Sequence, residues 1–201
     1  MGRNSDARQK LLDAAGELMR GQGYGAMSVA GICELAGVRK GSFYHFFDSK
    51  QVLAVEALRA AWAAEEALWK EILRSSGRPL HRLERLLLAQ ADAQHRGKRE
   101  SGFVRGSLFA NLALELGAQD ETVRECLEEI FDQQVSLVHG ALLEAAELGH
   151  IPKGEGTHAT RRDAQAVLAQ LEGTVLFAKL HNDPSVLDGL WSQVAGLLRT
   201  V

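Results

Sequence analysis

Residues 28–50 read SVAGICELAGVRKGSFYHFFDSK, and this stretch decides the fold. Ser28 stands where its hydroxyl can cap the free amides of a short helix over Val29–Leu35. Ala36-Gly37-Val38 then breaks the chain, and a second short helix spans about Lys40 to Phe46. Two short helices joined by a glycine-containing turn form a helix-turn-helix. The second helix of such a pair enters the major groove of DNA with its N-terminal residues at base edges. Here those residues are Arg39, Lys40 and Ser42. Arginine and lysine donate to guanine O6 and N7, and a good bidentate pair is worth about 1–3 kcal/mol of discrimination. Gly41 omits a side chain where backbone must come close, and Tyr44, His45 and Lys50 suit phosphate oxygens, which fix register without reading sequence. Tyr44 and His45 equally suit a solvated surface with no DNA role. Phe43, Phe46 and Phe47 read as core, and Cys33 as packing.

Outward from this segment the pattern is helical nearly throughout. A first helix is expected over about Asp6 to Gln22, with Leu11, Ala15 and Leu18 on one face and Gly23 ending it. After Asp48-Ser49 a long fourth helix runs to about Ser75, with Val55, Leu58, Trp62, Trp69 and Ile72 at core-facing spacing. Further helices are expected at about Pro79–Arg96, Ser107–Leu116, Asp120–Leu148, Arg161–His181 and Pro184–Thr200. Gly149–Thr160, glycine-rich and polar, reads as a mobile loop. The three prolines, Pro79, Pro152 and Pro184, fall at helix starts or in loops, and no run alternates like a strand. The fold class is all-α: a three-helix helix-turn-helix domain over residues 1–48, then a helical domain over 49–201.

Composition bounds the rest. The chain has 201 residues, 46% of them hydrophobic and 24% charged, as in ordinary soluble globular proteins. No stretch approaches the roughly 18 apolar residues of a membrane helix. The polar start, Met1 to Lys10, has no apolar signal core, so a cytoplasmic protein without membrane contact is expected. The net charge of −3 conceals an asymmetry: residues 1–50 carry +2 and the remainder −5. That is the sign expected if only the N-terminal part meets phosphate. Cys33 and Cys126 lie far apart in apolar patterns and read as reduced, buried thiols.

The run Gly23–Leu53, GYGAMSVAGICELAGVRKGSFYHFFDSKQVL, resembles the DNA-binding region of the TetR family of repressors. The matching positions are Tyr24, Ser28, the Ala-Gly-Val turn, Gly41, the Tyr44-His45-Phe46-Phe47 cluster and Lys50. The resemblance implies a DNA-binding set of Ser28, Arg39, Lys40, Ser42, Tyr44, His45 and Lys50. It further implies a helical domain holding a small-molecule inducer pocket, and a homodimer joined through the last two helices on a palindromic operator. Arg39 departs from the small residue frequent in that family, which bears on operator sequence and not on fold. Gly31 inside the second helix costs roughly 1 kcal/mol relative to alanine.

In the second domain, polar residues stand in apolar stripes: Glu65 between Trp62 and Trp69, Gln90 and Gln94 beyond Leu87, and Gln134 between Ile130 and Leu137. A buried polar group needs a partner, so each pairs in the core, reaches the edge or meets a polar cavity. Gly106–Leu116, GSLFANLALEL, is similar to a segment of a TetR subgroup in which Gly-Cys or Gly-Ser precedes Asn-Leu-Ala-x-Glu. Ser107, Asn111 and Glu115 share one helical face, either solvated or a pocket wall. The expected ligand-binding set is Trp62, Glu65, Ser107, Asn111, Phe131 and Gln134. A serine at 107 is a poor nucleophile without an adjoining base, so induction is expected to be reversible and non-covalent. Leu187, Leu190, Trp191, Val194, Leu197 and Leu198 stripe the last helix, and Val167, Leu168, Leu171, Val175 and Ala178 the one before. Such stripes bury either within one chain or between two. With the family resemblance the second is expected, giving an interface of Leu168, Leu171, Val175, Leu187, Leu190, Trp191, Val194 and Leu198.

The function that follows is a ligand-responsive transcriptional repressor released from its operator by an inducer. The competing reading is a helical ligand-binding or interaction module without DNA binding; the occupied polar positions Arg39, Lys40, Tyr44, His45 and Lys50 speak against it. An enzyme is disfavoured. The seven histidines make no HExxH motif, no cysteine pair has zinc spacing, and no phosphate-cradling glycine loop appears. No metal or cofactor is expected.

Overall fold

The computed structural model describes residues 2–151 and 157–199. Its elements are α1 (Gly2–Gln22), α2 (Val29–Ala36), α3 (Lys40–Phe46), α4 (Lys50–Leu73), α5 (Pro79–Ser101), α6 (Leu108–Leu116), α7 (Glu121–Glu147), α8 (Thr157–His181), a 3₁₀ turn (Pro184–Leu187) and α9 (Leu190–Arg199). No strand occurs among the described residues, so the all-α expectation holds. None of the described helices is long and apolar enough to cross a membrane.

Local chemistry sets the boundaries. Ser28 Oγ accepts from the Gly31 amide at 3.0 Å, the expected N-cap of α2. Gly37, at φ 63°, turns the chain left-handed and lets the Val38 amide reach the Cys33 carbonyl at 2.9 Å. Ser107 lies outside α6 and caps it, accepting from the Ala110 amide at 3.2 Å. The helix expected over Pro184–Thr200 is two elements. The Asp183 carboxylate accepts from the Ser185 amide, and the Asp188 backbone amide donates to the Ser185 carbonyl, closing a 3₁₀ turn before Gly189. The end of α5 at Ser101 and the start of α8 at Thr157 make both helices longer than expected. Residues 152–156 of the expected loop lie outside the described residues.

The chain packs as two compact units. The first joins the described residues up to Ala64 to Ser107–Ile130. Its core holds Leu11, Ala15, Met19, Ile32, Phe43, Phe47, Leu53, Leu58, Leu112 and Leu127. On α1 the buried face runs through Met19, one residue on from the expected Leu18, which is half-buried. The second unit joins Glu65–Gly106 to the described residues from Phe131 onward. It buries Trp69, Leu83, Leu86, Val138, Leu142, Val167, Leu171, Leu187 and Val194. Its polar fastenings include the buried Arg82 guanidinium paired with Glu144, and Asn182, whose amide oxygen accepts from Val104 at 2.9 Å. The division at 48/49 read from the sequence separates expected roles. Packing divides the chain elsewhere, because α6 and the start of α7 belong with the first helices.

Candidate nucleic-acid interface and effector region

The short helix α3 is held by its aromatic side. Phe43 and Phe47 are buried, with ring centroids 5.9 Å apart, and the Arg8 guanidinium lies 5.4 Å from the Phe47 ring centre. Phe46 is only half-buried. The opposite side carries exposed Arg39, Lys40, Gly41, Tyr44 and His45, with Ser42 half-buried and Ser28 exposed at the start of α2. Arg39 is the N-terminal flanking residue of α3 and makes no side-chain cap, so its guanidinium is not used to finish the helix. Tyr44 is 54% exposed while its ring edge rests on Phe43 at 5.1 Å. Six of the seven residues expected to face DNA thus share the surface of one helix-turn-helix, at least partly open to solvent.

Lys50 is the exception. Its ammonium donates to the Tyr24 carbonyl at 3.1 Å and the Met27 carbonyl at 2.9 Å, and lies 3.9 Å from the centre of the Tyr24 ring. In this structure Lys50 fastens the α1–α2 turn from one side, where the sequence suggested a phosphate contact. The cause is local: the two carbonyls and the ring face satisfy an ammonium that would otherwise reach outward. Glu115 of α6 fastens the same turn from the other side, accepting from the Tyr24 amide at 2.9 Å and the Gly25 amide at 2.6 Å. Burial raises the Tyr24 phenol pKa, with Asp120 and Glu115 acting in the same direction, so the ring under Lys50 stays neutral. Gln51 donates to both carboxylate oxygens of Asp120 at 2.8 Å, and Asp120 in turn caps α7 at the Val123 amide. Sequence reading placed Glu115 on a face with Ser107 and Asn111 but missed its target, because the partner amides lie about ninety positions upstream.

The six expected effector residues divide between the units. Trp62, Ser107 and Asn111 belong to the first, where Trp62 is buried edge-on against Phe109 at 6.0 Å. Ser107 is partly spent as the α6 cap. Glu65, Phe131 and Gln134 belong to the second. Glu65 and Phe131 are half-buried, whereas Gln134 is 2% exposed and its Oε1 is buried without a hydrogen-bond partner among the described residues. Gln94 resolves otherwise: its amide exchanges hydrogen bonds with the Gly106 backbone, so it is a structural brace.

The expected dimer stripe needs correction. Leu168, Leu171, Val175, Leu187, Leu190, Val194 and Leu198 are all buried within the single chain, and Trp191 is half-buried. The residues α8 and α9 present to one another cannot also be the face they present outward. What α8 leaves open is Leu176, Phe177 and Leu180, each more than half exposed. Beside them lies a cavity of about 450 Å³ lined by Gln170, Gly173, Thr174, Phe177, His181 and Gln193. Phe177 stacks on His181, and Gln170 donates to Gln193 at 2.7 Å across this face.

Both thiols are buried and free. Burial raises the pKa of Cys33 against the pull of Lys40, and burial raises that of Cys126 against the pull of Arg59. Among the described residues no His/Cys/Asp/Glu group could hold a metal ion.

A buried aromatic anchor beneath an exposed basic and hydroxylated face, on the second helix of a helix-turn-helix, is the geometry of a DNA-reading module. Comparison with known proteins agrees. Residues 11–57 match the bacterial regulatory proteins of the tetR family, and residues 79–194 match the tetracyclin repressor-like C-terminal domain. The transcriptional regulator AcuR of Cereibacter sphaeroides is 32% identical over 184 residues, covering 90% of this chain and 80% of that one. The repressor NemR of Escherichia coli K12 is 27% identical over 97% of this chain and 95% of its own. The crystal structure of reduced E. coli NemR superposes with a TM-score of 0.83 at 25% identity, covering 98% of this chain and all of that one. A TetR regulatory protein from Rhodobacter sphaeroides gives 0.82 at 27% identity, covering 95% and 98%. The chain belongs to the TetR family of helix-turn-helix transcriptional regulators, whose members bind DNA and function as dimers.

Proposed function

We propose that this regulator is a homodimeric repressor that reads a two-fold symmetric operator and releases it on binding a small-molecule effector, with no catalytic step. The observation that carries the reading is the exposed set Arg39, Lys40, Tyr44 and His45 on a helix whose other side is locked by Phe43 and Phe47. Residues 1–48 are the DNA-binding part and 49–201 the effector and dimerisation part. Arg39 and Lys40 meet base edges; Ser28, Ser42, Tyr44 and His45 meet the backbone, the division of labour usual at DNA interfaces. Two such helices related by a dyad meet major grooves about 34–36 Å apart, one turn of the duplex.

Effector recognition centres on Gln134. A buried amide oxygen left unpaired costs about 1–3 kcal/mol, which a ligand donor recovers. On α7 Gln134 stands beside buried Val135 and Val138, and one polar anchor in an apolar stripe suits a small, mostly apolar molecule bearing a hydroxyl or N–H. The buried, protonated thiols support reversible binding over covalent capture. The dimer face is the open side of α8, through Phe177, Leu180, Gly173 and the Gln170–Gln193 pair.

Selection from a random duplex pool tests the reading. The wild-type protein should enrich one inverted repeat, and small molecules screened against that complex should include one that releases it. A protein enriching nothing at low salt overturns the proposal; an enriched direct repeat overturns its symmetry.

A further inference from the structure

The α1–α2 turn, Gly23 to Ser28, is gripped from two sides by opposite charges. Glu115 takes its amides, Tyr24 N at 2.9 Å and Gly25 N at 2.6 Å, while Lys50 takes its carbonyls, Tyr24 O and Met27 O. The peptide dipoles of the turn therefore run from an anion to a cation, and each charge stabilises the polarisation the other induces. The sequence around Glu115's target is built for a carboxylate. Gly23 sits at φ +79°, and a Cβ there would stand 2.8 Å from Glu115 Oε2; a Cβ at Gly25 would stand 3.2 Å from Oε1. Two glycines flank Tyr24 where any larger residue would displace the carboxylate or be displaced by it.

The turn leads without a break into the DNA-facing residues. Met27 O is held by Lys50, and the next residue, Ser28, caps α2. Helix α2 packs against α3, which begins at Lys40 directly after Arg39. Glu115 itself lies on α6, outside the helix-turn-helix, and α6 packs against α1 in the same compact unit. We propose that Glu115 is a positioning residue for operator binding: through the Tyr24 and Gly25 amides it sets the α1–α2 turn, and with it the angle at which α2 and α3 meet the duplex. It touches no nucleotide. The inference rests on the DNA-binding reading above and adds a residue that the helix-turn-helix alone does not contain.

The experiment uses the full-length protein, a duplex enriched by the wild type, and a scrambled duplex of the same length. Glu115→Ala removes both acceptors, Glu115→Gln retains one, and Leu114→Ala alters the neighbouring residue of α6, which is 79% exposed. Glu115→Ala should weaken the selected duplex at least about tenfold while changing the scrambled one little, because non-specific phosphate binding needs no register. Glu115→Gln should fall between, Leu114→Ala should match wild type, and hydrogen exchange at the Tyr24 and Gly25 amides should quicken in the same order. A variant harmed only through stability would lose both duplexes equally as its folded fraction falls. Glu115→Ala binding the selected duplex within twofold of wild type, or losing both duplexes in parallel, overturns the assignment. If Glu115→Ala does not fold, Glu115→Gln decides, and equality with wild type at both duplex and amides overturns it. A wild type that enriches no duplex instead refutes the DNA-binding reading itself.

Discussion

The helix-turn-helix and the α8–α9 pair are both amphipathic, yet the outward face of one can be read from sequence and that of the other cannot. On α3 the buried side is named by Phe43 and Phe47, and whatever remains faces outward: Lys40, Tyr44 and His45 are all exposed. On α8 and α9 the apolar residues exceed what one interface needs. Leu168, Leu171, Val175, Leu190, Val194 and Leu198 go to the inside of the chain, and Leu176, Phe177 and Leu180 are left over. On α3 the polar residues Lys40, Tyr44 and His45 find their place in water. An apolar residue has two, the core or a partner, and helical periodicity does not distinguish them.

The largest expected effect separates those two places. Val194→Glu puts a carboxylate at a position with no exposure, which costs several kcal/mol and should abolish cooperative folding. Phe177→Glu, on a residue 55% exposed, should leave the monomer folded with a circular-dichroism spectrum like wild type, and shift sedimentation from dimer to monomer. If instead Val194→Glu gave a folded monomer and Phe177→Glu a normal dimer, the stripe and the open face would have to exchange roles.

Next in size is base reading. Arg39→Ala should lose about 1–3 kcal/mol of discrimination at particular base pairs and little at the rest, seen as a flattened position in a selection repeated with the variant. Lys50→Ala is the contrast inside the same module. With its ammonium holding two carbonyls and a ring, its loss should lower the melting temperature, whereas Arg39→Ala should not. A Lys50→Ala protein that melts like wild type returns Lys50 to the phosphate role the sequence suggested.

That difference marks how far the sequence could be read. Helix order, the α2 cap at Ser28, the break at Gly37 and the core stripe of α4 were all legible, because each depends on residues within a few positions. Three things were not. The ammonium of Lys50 and the carboxylate of Glu115 find partners 23 to 91 positions away, and nothing in local spacing points to them. The 3₁₀ turn at Pro184–Leu187 stands where one continuous helix was expected, closed by the Asp188 amide on the Ser185 carbonyl just before Gly189. And Gln134 and Gln94, both polar interruptions of apolar stripes, differ in that Gln94 finds the Gly106 backbone while the Gln134 oxygen has no hydrogen-bond partner among the described residues.

A smaller effect tests the cap. Ser28→Ala removes the acceptor for the Gly31 amide and should cost about 0.5–2 kcal/mol. Because Gly31 already weakens α2, the loss should appear as faster amide exchange in the first turn of α2 with α8 and α9 unaffected. Uniform destabilisation of both units would mean that the cap supports more than its own helix.

The smallest effect concerns the thiols, one in α2 and one in α7. Burial is the leading cause that raises both, opposed by Lys40 at Cys33 and by Arg59 at Cys126. A thiol in an unfolded chain titrates near pH ~8.5. With a higher value in the folded state, the native protein keeps its thiol protons where the unfolded chain has begun to release them. The sign follows: the contribution to stability is complete below about pH 8.5 and is lost as pH rises through the folded-state value. Tyr24, also raised, titrates from a reference of 10.0 and adds its own loss only at still higher pH. The urea midpoint should therefore fall further between pH 7 and pH 9.5 for wild type than for Cys33→Ser/Cys126→Ser. The double variant starts from a lower midpoint, since serine packs poorly in an apolar site, but the slope with pH and not the starting point carries the test. Equal slopes would mean that the folded thiols ionise as readily as free ones, and effector capture by a thiolate would then displace the reversible binding proposed at Gln134.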